Sequence, residues 1–578
     1  MTNNWNIASL SEEEEVLADH LARELNLTAI VGRLLVLRGI TSVEEAQEYF
    51  HPSLSKLHDP FLMRDMDLAV KRLNKAVGNK ERILIYGDYD VDGTTAVTLV
   101  YKFLRSTVCS QDELNYYIPD RYEEGYGISY RGIDFAHEWG ARLIIVLDCG
   151  IKAIEKVAYA KSLGIDFIIC DHHNPDEVLP DAVAVLDAKR TDNTYPFEHL
   201  SGCGVGFKLL QAFAQSNNID MKKLYCHLDL LAVSIAADIV PLVGENRILA
   251  YYGIKQLNTH PSLGLKGIIK TSGLDGKPID MDSIVFKIGP RINASGRMMN
   301  GREAVDLLLA SDKDSARKQS AHINEYNLER RKLDRVTTEE ALLQLKEDAE
   351  LENRKILVLY SPEWHKGVIG IVASRITERY YRPTIVLTRS GDHISGSARS
   401  LGGFDVYKAI EYCKDFLVNF GGHTYAAGLT IKPDFLNDFI ERIRSYAETA
   451  MEPEVLVPQI DIDAEISLHD ITPRLMREIK SMAPFGSGNE KPVFVSRHAV
   501  NAGRTRAVGA HDEHLRLDIT NQENTIKPIN GIAFQLAKKN LHYIQQKKPF
   551  SLVYTIEENN YHSNSFMQLQ VKDIALER

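Results

Sequence analysis

The sequence predicts a multidomain α/β protein, in which a parallel-sheet domain and a smaller α/β domain are joined by a long helix and followed by a C-terminal β-barrel. The chain has 578 residues, which is too many for one hydrophobic core. Continuously apolar strand candidates alternate with helical stretches in its first half, as is typical of a parallel sheet covered on both faces. After residue 455 the pattern becomes mostly strand-like.

The first half of the chain contains a helical lead-in and the larger α/β domain. Residues 1–60 are expected to be a helical lead-in, because SEEEEVLADHLAREL and SVEEAQEYF carry apolar residues at helical spacing. The parallel-sheet domain is expected over 61–311. Its predicted strands are RILIY, LNYYIP, RLIIVLD, DFIIC and AVAVLD. Residues 312–352 are charged and contain neither glycine nor proline, which predicts a long connecting helix.

The second half is expected to hold the smaller α/β domain and the barrel. The smaller domain is predicted over 353–450, beginning at KILVLY and including two glycine-rich segments, SGSARSLGG and FGGHTYAAG. Residues 455–578 are predicted to form a five-stranded barrel. Its strand candidates are PVFVSRHAV, HLRLDIT, IKPINGIAF, FSLVYTI and SFMQLQVKDIAL.

Composition narrows the class of protein. The chain is 44% hydrophobic and 25% charged, as is usual for globular proteins, and no apolar run approaches the roughly 20 residues that cross a bilayer. The N-terminus lacks a basic start and an apolar segment, so we expect a cytoplasmic protein without membrane association. The net charge of −11 argues against a nucleic-acid coat protein. It does not exclude a nucleic-acid enzyme, because a local basic groove can still bind phosphates.

Acidic residues and a histidine pair follow three of the apolar strand candidates. They are Asp88, Asp90 and Asp92 in YGDYDVDG, Asp148 in LIIVLDCG, and Asp171, His172 and His173 in FIICDHHNP. Because the carboxyl ends of parallel strands meet at one edge of a sheet, we expect these side chains to lie together. Asp238, at the end of the helix-like run SIAAD, is a candidate to join them.

Such a cluster predicts bound cations. Two carboxylates about 4 Å apart repel by about 4 kcal/mol at an effective dielectric near 20, so cations or protons must offset the charge. Oxygen ligands with a few imidazoles suit Mn²⁺ or Mg²⁺. Alternate residues on an extended turn would direct Asp90 and Asp92 toward neighbouring ions. A single aspartate at a strand end is commonly a helix cap or a turn residue, and for Asp238 both interpretations stay open.

These motifs resemble the DHH phosphoesterase superfamily, and within it the RecJ single-strand-specific exonucleases. The resemblance covers nearly the whole chain and includes, in the family's order, YGDYDVDGTTA, IPDRYEEGYGIS, LDCGI, CDHHNP, SGCGVGFKL, AADIVPL and GPRINASGRM. It implies a DHH catalytic domain, a DHHA1 substrate-binding domain containing SGSARS and FGGHTYAAG, and an OB-like single-strand-binding domain. Longer family members carry a further C-terminal domain after the OB-fold, and whether functions assigned to it, such as partner docking, apply to a chain that stops at Arg578 stays open.

The resemblance implies a 5′→3′ exonuclease that degrades single-stranded DNA to mononucleotides in recombination and repair, with two Mn²⁺ or Mg²⁺ ions. The implied metal ligands are Asp90, Asp92, Asp148, His172 and Asp238. His173 would face the scissile phosphate, and Asp88 matches a further acidic catalytic position. Asp148 is our candidate bridge between the ions, because a central strand end can face both. The implied substrate-binding residues are Arg121, Arg291, Ser397, Arg399 and His423.

The expected ligand is single-stranded DNA, with a single-strand-binding protein and a helicase as candidate partners of a monomeric enzyme.

Two rival functions stay open at this point. One is a phosphoesterase of the same superfamily acting on short oligonucleotides, cyclic dinucleotides or pyrophosphate, which would not need residues 455–578. The other is a non-catalytic single-strand-binding protein, although such a protein gains nothing from repelling carboxylates beside DNA.

Overall fold

The computed structural model describes residues 3–561 and 564–577. These residues form two units. One contains Leu57–Val240 and Gly244–Val457, and the other contains the chain up to Lys56, the short segment Pro241–Val243 and the chain from Pro458 onward. No helix in the described part of the chain is long and apolar enough to span a membrane.

The N-terminal segment begins with a strand and continues as three helices. Their bounds are β1 Asn4–Ile7, α1 Glu12–Glu24, α2 Ala29–Leu37 and α3 Val43–Phe50. Helix α1 starts at a capping box, in which Ser11 and Glu14 satisfy each other's backbone N–H groups.

The next segment contains a parallel sheet flanked by helices. The strands are β2 Arg82–Gly87, β3 Leu114–Tyr117, β4 Ala141–Leu147, β5 Asp166–Cys170 and β6 Ala184–Leu186, in the order β3-β2-β4-β5-β6. The helices are α4 Met66–Gly78, α5 Val91–Thr107, α6 Tyr130–Trp139, α7 Ile154–Ser162, α8 Gly202–Ser216, α9 Lys222–Tyr225, α10 Leu228–Ala237, α11 Gly244–Thr259, α12 Leu263–Thr271, α13 Met281–Ser283, α14 Gly289–Met298 and α15 Arg302–Leu308. All pairings in this sheet are parallel, and its strands are buried along most of their length, which explains their continuous apolar runs.

A long helix leads to the smaller α/β domain. Helix α16 spans Lys313–Glu347 and is capped by the side chain of Asp312. It is followed by β7 Leu357–Tyr360, α17 Ile369–Tyr380, β8 Thr384–Ser390, β9 His393–Arg399, α18 Val406–Glu411, β10 Leu417–His423, β11 Ala426–Ile431 and α19 Leu436–Ala450. The sheet order is β10-β11-β9-β8-β7, which leaves β10 as an edge strand.

The C-terminal segment forms a closed barrel. Its elements are β12 Gln459–Ile462, β13 Ala464–Glu465, α20 Pro473–Ser481, β14 Phe494–Asn501, β15 Arg506–Val508, β16 His514–Asn521, β17 Ile529–Ala533, α21 Ala537–Gln545, β18 Phe550–Tyr561 and β19 Asn564–Leu576. Five strands close the barrel in the order β14-β18-β19-β17-β16, and β16 pairs again with β14. Antiparallel pairing dominates, with one parallel pair between β17 and β19.

The structure confirms the predicted fold class, including the parallel sheet, the long helix and the barrel. It also shows where the N-terminal segment packs. Strand β1 pairs in parallel with β12, and Val31 and Leu34 of α2 lie in the same buried cluster as the barrel residues. The segment up to Lys56 therefore belongs to the same unit as the barrel.

Candidate metal centre and anion-binding cleft

The acidic residues collect at one edge of the parallel sheet. Asp88, Asp148 and Asp171 come directly after β2, β4 and β5, which are neighbouring strands. Because parallel strands end at the same edge, side chains that are distant in sequence become neighbours. All three residues are buried. The structure therefore brings together the strand-end aspartates as expected.

The extended conformation predicted for this segment is found at Asp90, which precedes helix α5, whereas Asp92 reaches the sheet edge from within the helix. Asp90 is the N-cap of α5, and its carboxylate accepts a hydrogen bond from Gly93 N at 3.0 Å. Asp92 lies in the first turn and accepts bonds from the backbone N–H groups of Gly202 (2.6 Å) and Cys203 (2.8 Å). These bonds connect α5 to the N-terminus of α8 and fix the carboxylate of Asp92.

Backbone geometry directs Asp148 into the cluster. Its φ of 60° lies in the left-handed region, which aspartate tolerates better than most residues. Its N–H donates to the carbonyl of Cys170 at 2.9 Å. A Cβ at Gly202 would lie 2.5 Å from the Cβ of Asp148, so only glycine lets α8 approach this closely.

His172 lies among carboxylates from three different elements. Its Nε2 is 3.2 Å from Asp148 Oδ1, 3.6 Å from Asp238 Oδ2 and 3.9 Å from Asp92 Oδ2. Asp238 is the C-cap of α10, a buried helix that delivers it to the sheet edge. The structure thus places Asp238 within the cluster, and its metal-binding role stays a prediction.

The clustered side chains form three overlapping groups, in each of which the candidate ligand atoms lie within 4.8 Å of one another. The groups are Asp88, Asp90 and Asp148; Asp92, His172 and Asp238; and Asp148, His172 and His173. Asp148 belongs to two of these groups, which is the placement expected of a bridging ligand. Carboxylate oxygens with an imidazole are a donor set that suits Mn²⁺ or Mg²⁺.

Burial and mutual repulsion make this cluster costly without a cation. Burial raises the pKa of Asp148 well above its usual range, and the charges of Asp92 and Asp90 raise it further. The same causes raise the pKa of Asp238 to about 8. One buried oxygen of Asp88, Oδ1, has no hydrogen-bond partner in the described part of the chain. A divalent cation would neutralise the repulsion and give the unpaired oxygen of Asp88 a ligand, so the residues present fit such an ion.

Asp171 holds His173 by a short ion pair. Its Oδ1 lies 2.7 Å from His173 Nδ1, and its other oxygen accepts a bond from the backbone N–H of Ile151 at 2.9 Å. Burial opposes both charges. The hydrogen bond and the opposite charges nevertheless raise the pKa of His173 to about 9 and lower the pKa of Asp171 to about 2. Asp171 therefore fixes the orientation of the His173 ring and favours its protonated form.

Two further side chains surround the His173 ring. The hydroxyl of Tyr126 lies 3.2 Å from His173 Nε2. The ring of His423 lies nearly parallel to that of His173, with 6.3 Å between the centroids. Sequence analysis had not singled out Tyr126, because a tyrosine in EEGYGIS carries no metal-ligand or phosphate-binding signal of its own.

Asp187 is a second residue that sequence analysis had not singled out. It follows β6 and so occupies the same strand-end position as Asp88, Asp148 and Asp171. Burial raises its pKa to about 7, and its Oδ2 has no hydrogen-bond partner within residues 3–561 and 564–577. The signal was present in the predicted strand AVAVLD, whose last residue is this aspartate.

A cleft of about 640 Å³ extends from His173 and His423 to a cluster of arginines. Arg121, Arg297 and Arg399 line it. Burial and the charges of neighbouring arginines lower the pKa of Arg297 to about 10. None of the three guanidinium groups has a carboxylate of the described residues within 4.0 Å. Cations gathered without counter-charges indicate a binding site for an anion.

Uncharged groups complete this anion site, which we call the arginine cleft. Ser397 Oγ accepts a hydrogen bond from Arg399 at 3.1 Å. Ile369 and Gly370, at the N-terminus of the 12-residue helix α17, also line the cleft. A helix N-terminus favours bound anions through its free N–H groups and its dipole. A Cβ at Gly370 would lie 2.9 Å from Ser397 Oγ, so this glycine permits the close approach.

Arg291 lies outside the arginine cleft. Its guanidinium donates to the side chain of Asn324 (3.0 Å) and to the carbonyls of Lys287 (2.7 Å) and Thr271 (3.2 Å). Arg297, on the same helix α14, lines the cleft instead. The two arginines point in different directions because six helical positions rotate a side chain by about 240°. The motif GPRINASGRM contains both arginines, and the sequence alone does not show which of them faces the cleft.

This fold and its acidic sheet edge define a DHH-type protein. The family described as "DHH family, N-terminal domain" matches residues 82–235, the "DHHA1 domain" matches 353–449, and the "RecJ OB domain" matches 462–573. The three matches fall on the parallel-sheet domain, the smaller α/β domain and the barrel.

Curated relatives and solved structures narrow the class. Single-stranded-DNA-specific exonuclease RecJ of Bacillus subtilis is 35% identical over 96% of this chain and 69% of its own length. The Escherichia coli protein of the same name is 30% identical over 95% of this chain and 96% of its own length. The fold matches the crystal structure of Thermus thermophilus RecJ in complex with Mn²⁺ with a TM-score of 0.85 and 24% identity, covering 100% of this chain and 80% of that one. The chain belongs to the RecJ family.

Proposed function

We propose that this chain is a metal-dependent exonuclease that removes mononucleotides from the 5′ end of single-stranded DNA, in recombination and repair. One observation carries the proposal. A single cleft has the His173 side of the carboxylate cluster at one end and a carboxylate-free arginine cluster at the other. The Bacillus subtilis and Escherichia coli relatives are named single-stranded-DNA-specific exonucleases, which supports the substrate class.

The carboxylate cluster would hold two Mn²⁺ or Mg²⁺ ions. One site would use Asp88, Asp90 and Asp148, and the other would use Asp92, His172 and Asp238, with Asp148 between them. When bound, two such ions can activate a water and stabilise the leaving oxygen of an in-line displacement at phosphorus. A separate RecJ structure, 30% identical over 70% of this chain with a TM-score of 0.60, is bound to manganese.

His173 would contact the scissile phosphate. Asp171 fixes its Nδ1, so that Nε2 faces Tyr126 and the cleft. A cation that is fixed before the substrate binds stabilises developing negative charge without reorganisation during the reaction. Asp171 acts here as a positioning residue, because it orients His173 and does not itself reach the cleft.

The arginine cleft would bind the terminal 5′-phosphate. Arginine forks hold phosphate oxygens in a bidentate geometry, and Ser397 and the N-terminus of α17 add uncharged donors. Arg121 is itself supported by Tyr89, whose ring lies 5.1 Å from the guanidinium carbon. The distance from this anchor to His173 would set the product length at one nucleotide.

The barrel would bind the single strand. On the outer face of its sheet, Arg506 lies opposite Arg516, and Arg516 lies opposite Ile532. Phe534 is 52% exposed, and its ring packs edge-on against His514. Basic and exposed aromatic side chains on one face are typical of surfaces that bind single strands. The monomeric state and the expected partners, a single-strand-binding protein and a helicase, stay predictions.

A time course on long single strands tests this function. Strands of one sequence carry either a 5′-terminal or a 3′-terminal label and are incubated with Mn²⁺ or with a chelator. The 5′ label should appear at once as a mononucleotide, the 3′-labelled strands should shorten progressively, and the chelator should stop both. Release of the 3′ label first would show that digestion starts at the 3′ end and would contradict the proposed polarity. Cleavage restricted to strands of a few nucleotides would favour the small-substrate phosphoesterase.

A further inference from the structure

A second cavity, of about 560 Å³, adjoins the arginine cleft. The two cavities share His173, Gly422 and His423, and otherwise have different linings. We call the second one the distal pocket. His172 and Asp238 of the carboxylate cluster also line it. A chain that passes the metal centre from the arginine cleft therefore continues into this pocket.

The distal pocket contains a lysine whose ammonium group has no direct partner among the described residues. Lys189 follows β6 and is half-buried, and its backbone N–H donates to Asp187 at 2.8 Å. Its ammonium group makes no hydrogen bond or ion pair with any of the residues that the structure describes. The neighbouring Arg190, in contrast, is bound by Asp65 and Asp192. The carboxylates of Asp187 and Asp238 act on Lys189 without pairing with it within 4.0 Å, so its ammonium group can still bind an anionic ligand.

The distal pocket also has an exposed aromatic ring on a fixed turn. Tyr425 lies between β10 and β11 and is 57% exposed. The carbonyls of Thr424 and Tyr425 accept hydrogen bonds from Val406 N (3.0 Å) and Ser400 N (2.9 Å). The backbone of the turn is therefore held while the ring stays free. Exposed aromatic rings beside a nucleic-acid path are sites where bases stack.

We propose that the distal pocket binds the nucleotide on the 3′ side of the scissile phosphate, with Lys189 holding the phosphate after that nucleotide and Tyr425 stacking on its base. The inference rests on the proposed function, since it needs a strand whose 5′ end lies in the arginine cleft. The shortest substrate that fills the arginine cleft and the distal pocket is therefore a dinucleotide with a 3′-phosphate.

Two thymidine dinucleotides test the role of Lys189. Both carry a 5′-phosphate, and only one carries a 3′-phosphate, which stands for the next phosphate of a strand. Wild-type protein with Mn²⁺ should cleave the 3′-phosphorylated one with a kcat/KM that is roughly ten- to a hundredfold higher, mainly through KM. Lys189→Met should cleave both equally.

Lys366→Met is the matched control. Lys366 lines the arginine cleft and not the distal pocket, so its loss should leave the preference for the 3′-phosphate intact. A wild-type enzyme with no such preference, or a Lys189→Met variant that keeps it, would overturn the assignment while leaving the exonuclease function standing. A wild-type protein that cleaves neither dinucleotide nor long strands would instead overturn the proposed function and the inference with it.

A substrate that lacks its second base tests Tyr425. Wild type should cleave a trinucleotide with an abasic second position roughly tenfold less efficiently than the intact one, because stacking is lost. Tyr425→Leu should show no difference between the two. Tyr412→Leu is the control, since Tyr412 is 58% exposed in the same α/β domain but outside the pocket. A tenfold difference that persists in Tyr425→Leu would remove the ring from the site.

Discussion

The carboxylate cluster and the arginine cleft are opposite in charge and alike in construction. In the first, the ligand atoms of the aspartate and histidine side chains in each group lie within 4.8 Å of one another, and burial and repulsion raise the pKa values of Asp148 and Asp238. In the second, three arginines face one cavity, and burial and repulsion lower the pKa of Arg297. In the same unit, by contrast, the buried Lys208 is paired with Glu245. Unpaired charges of one sign indicate a ligand of the other sign.

Loss of the central carboxylate should give the largest effect. Asp148→Asn keeps a residue that tolerates the φ of 60° but removes a charge shared by two ligand groups. Hydrolysis with Mn²⁺ should fall by at least about 10³-fold, since metal activation supplies several kcal/mol. The metal-free variant should unfold at a higher temperature than metal-free wild type, because one repelling charge is gone. Near-normal turnover would remove Asp148 from the site.

A pair of glycines on α8 tests how tightly the cluster is built. A Cβ at Gly202 would lie 2.5 Å from the Cβ of Asp148, whereas the nearest atoms to a Cβ at Gly204 are at 3.4 Å. Gly202→Ala should displace the carboxylate and lower kcat by roughly 10- to 100-fold, as misplaced active-site groups do. Gly204→Ala should stay close to wild type. Equal activity of the two variants would show that the cluster tolerates movement.

Arg297 and Arg291 provide the matching test of the arginine cleft. Arg297→Met removes a charge-assisted contact worth roughly 1.5–3 kcal/mol, so the preference for 5′-phosphorylated over 5′-hydroxyl strands should fall by roughly 10- to 100-fold. Arg291→Met, on the same helix but outside the cleft, should keep that preference. The ratio of kcat/KM on the two strands is the measurement. The reverse pattern would restore Arg291 as the phosphate ligand.

The smallest expected effect is a pH dependence of metal stabilisation. In the metal-free protein, the pKa of Asp238 is raised to about 8. Protonation of Asp238 therefore stabilises the folded state. This stabilisation is fully present below the usual aspartate pKa and is lost as the pH rises through about 8. A bound cation replaces the proton. The rise in unfolding temperature caused by Mn²⁺ should therefore be larger at pH 8 than at pH 6. An equal rise at both pH values would contradict this account of the cluster.

The strand-end aspartates were predictable because they depend on a local rule. Each parallel strand ends at the same edge, so Asp88, Asp148 and Asp171 could be grouped before any coordinates were known. The same rule applied to Asp187 and was not used. The helical placement of Asp92 was missed because YGDYDVDG shows where the strand ends but not that the helix begins at Val91.

Other features depend on tertiary packing that leaves no local signal. The choice between Arg291 and Arg297 follows from which face of α14 meets the cleft. The pairing of β1 with β12 joins residues more than 450 positions apart. Tyr126 and Lys189 belong to common residue types without a motif of their own, and only the cavities reveal them. Sequence patterns therefore predicted the fold and the acidic edge better than the lining of the arginine cleft.

The central claim is that the acidic cluster binds metal ions and the arginine cleft binds the 5′-phosphate, independently of each other. A paired binding experiment tests this claim most directly. Mn²⁺ affinity is measured by calorimetry, and the affinity ratio for 5′-phosphorylated over 5′-hydroxyl strands is measured by fluorescence anisotropy in a chelator, where no cleavage occurs. Asp148→Asn should lose Mn²⁺ affinity and keep the ratio, whereas Arg297→Met should keep Mn²⁺ affinity and lose the ratio. Loss of both properties in either variant would contradict the account.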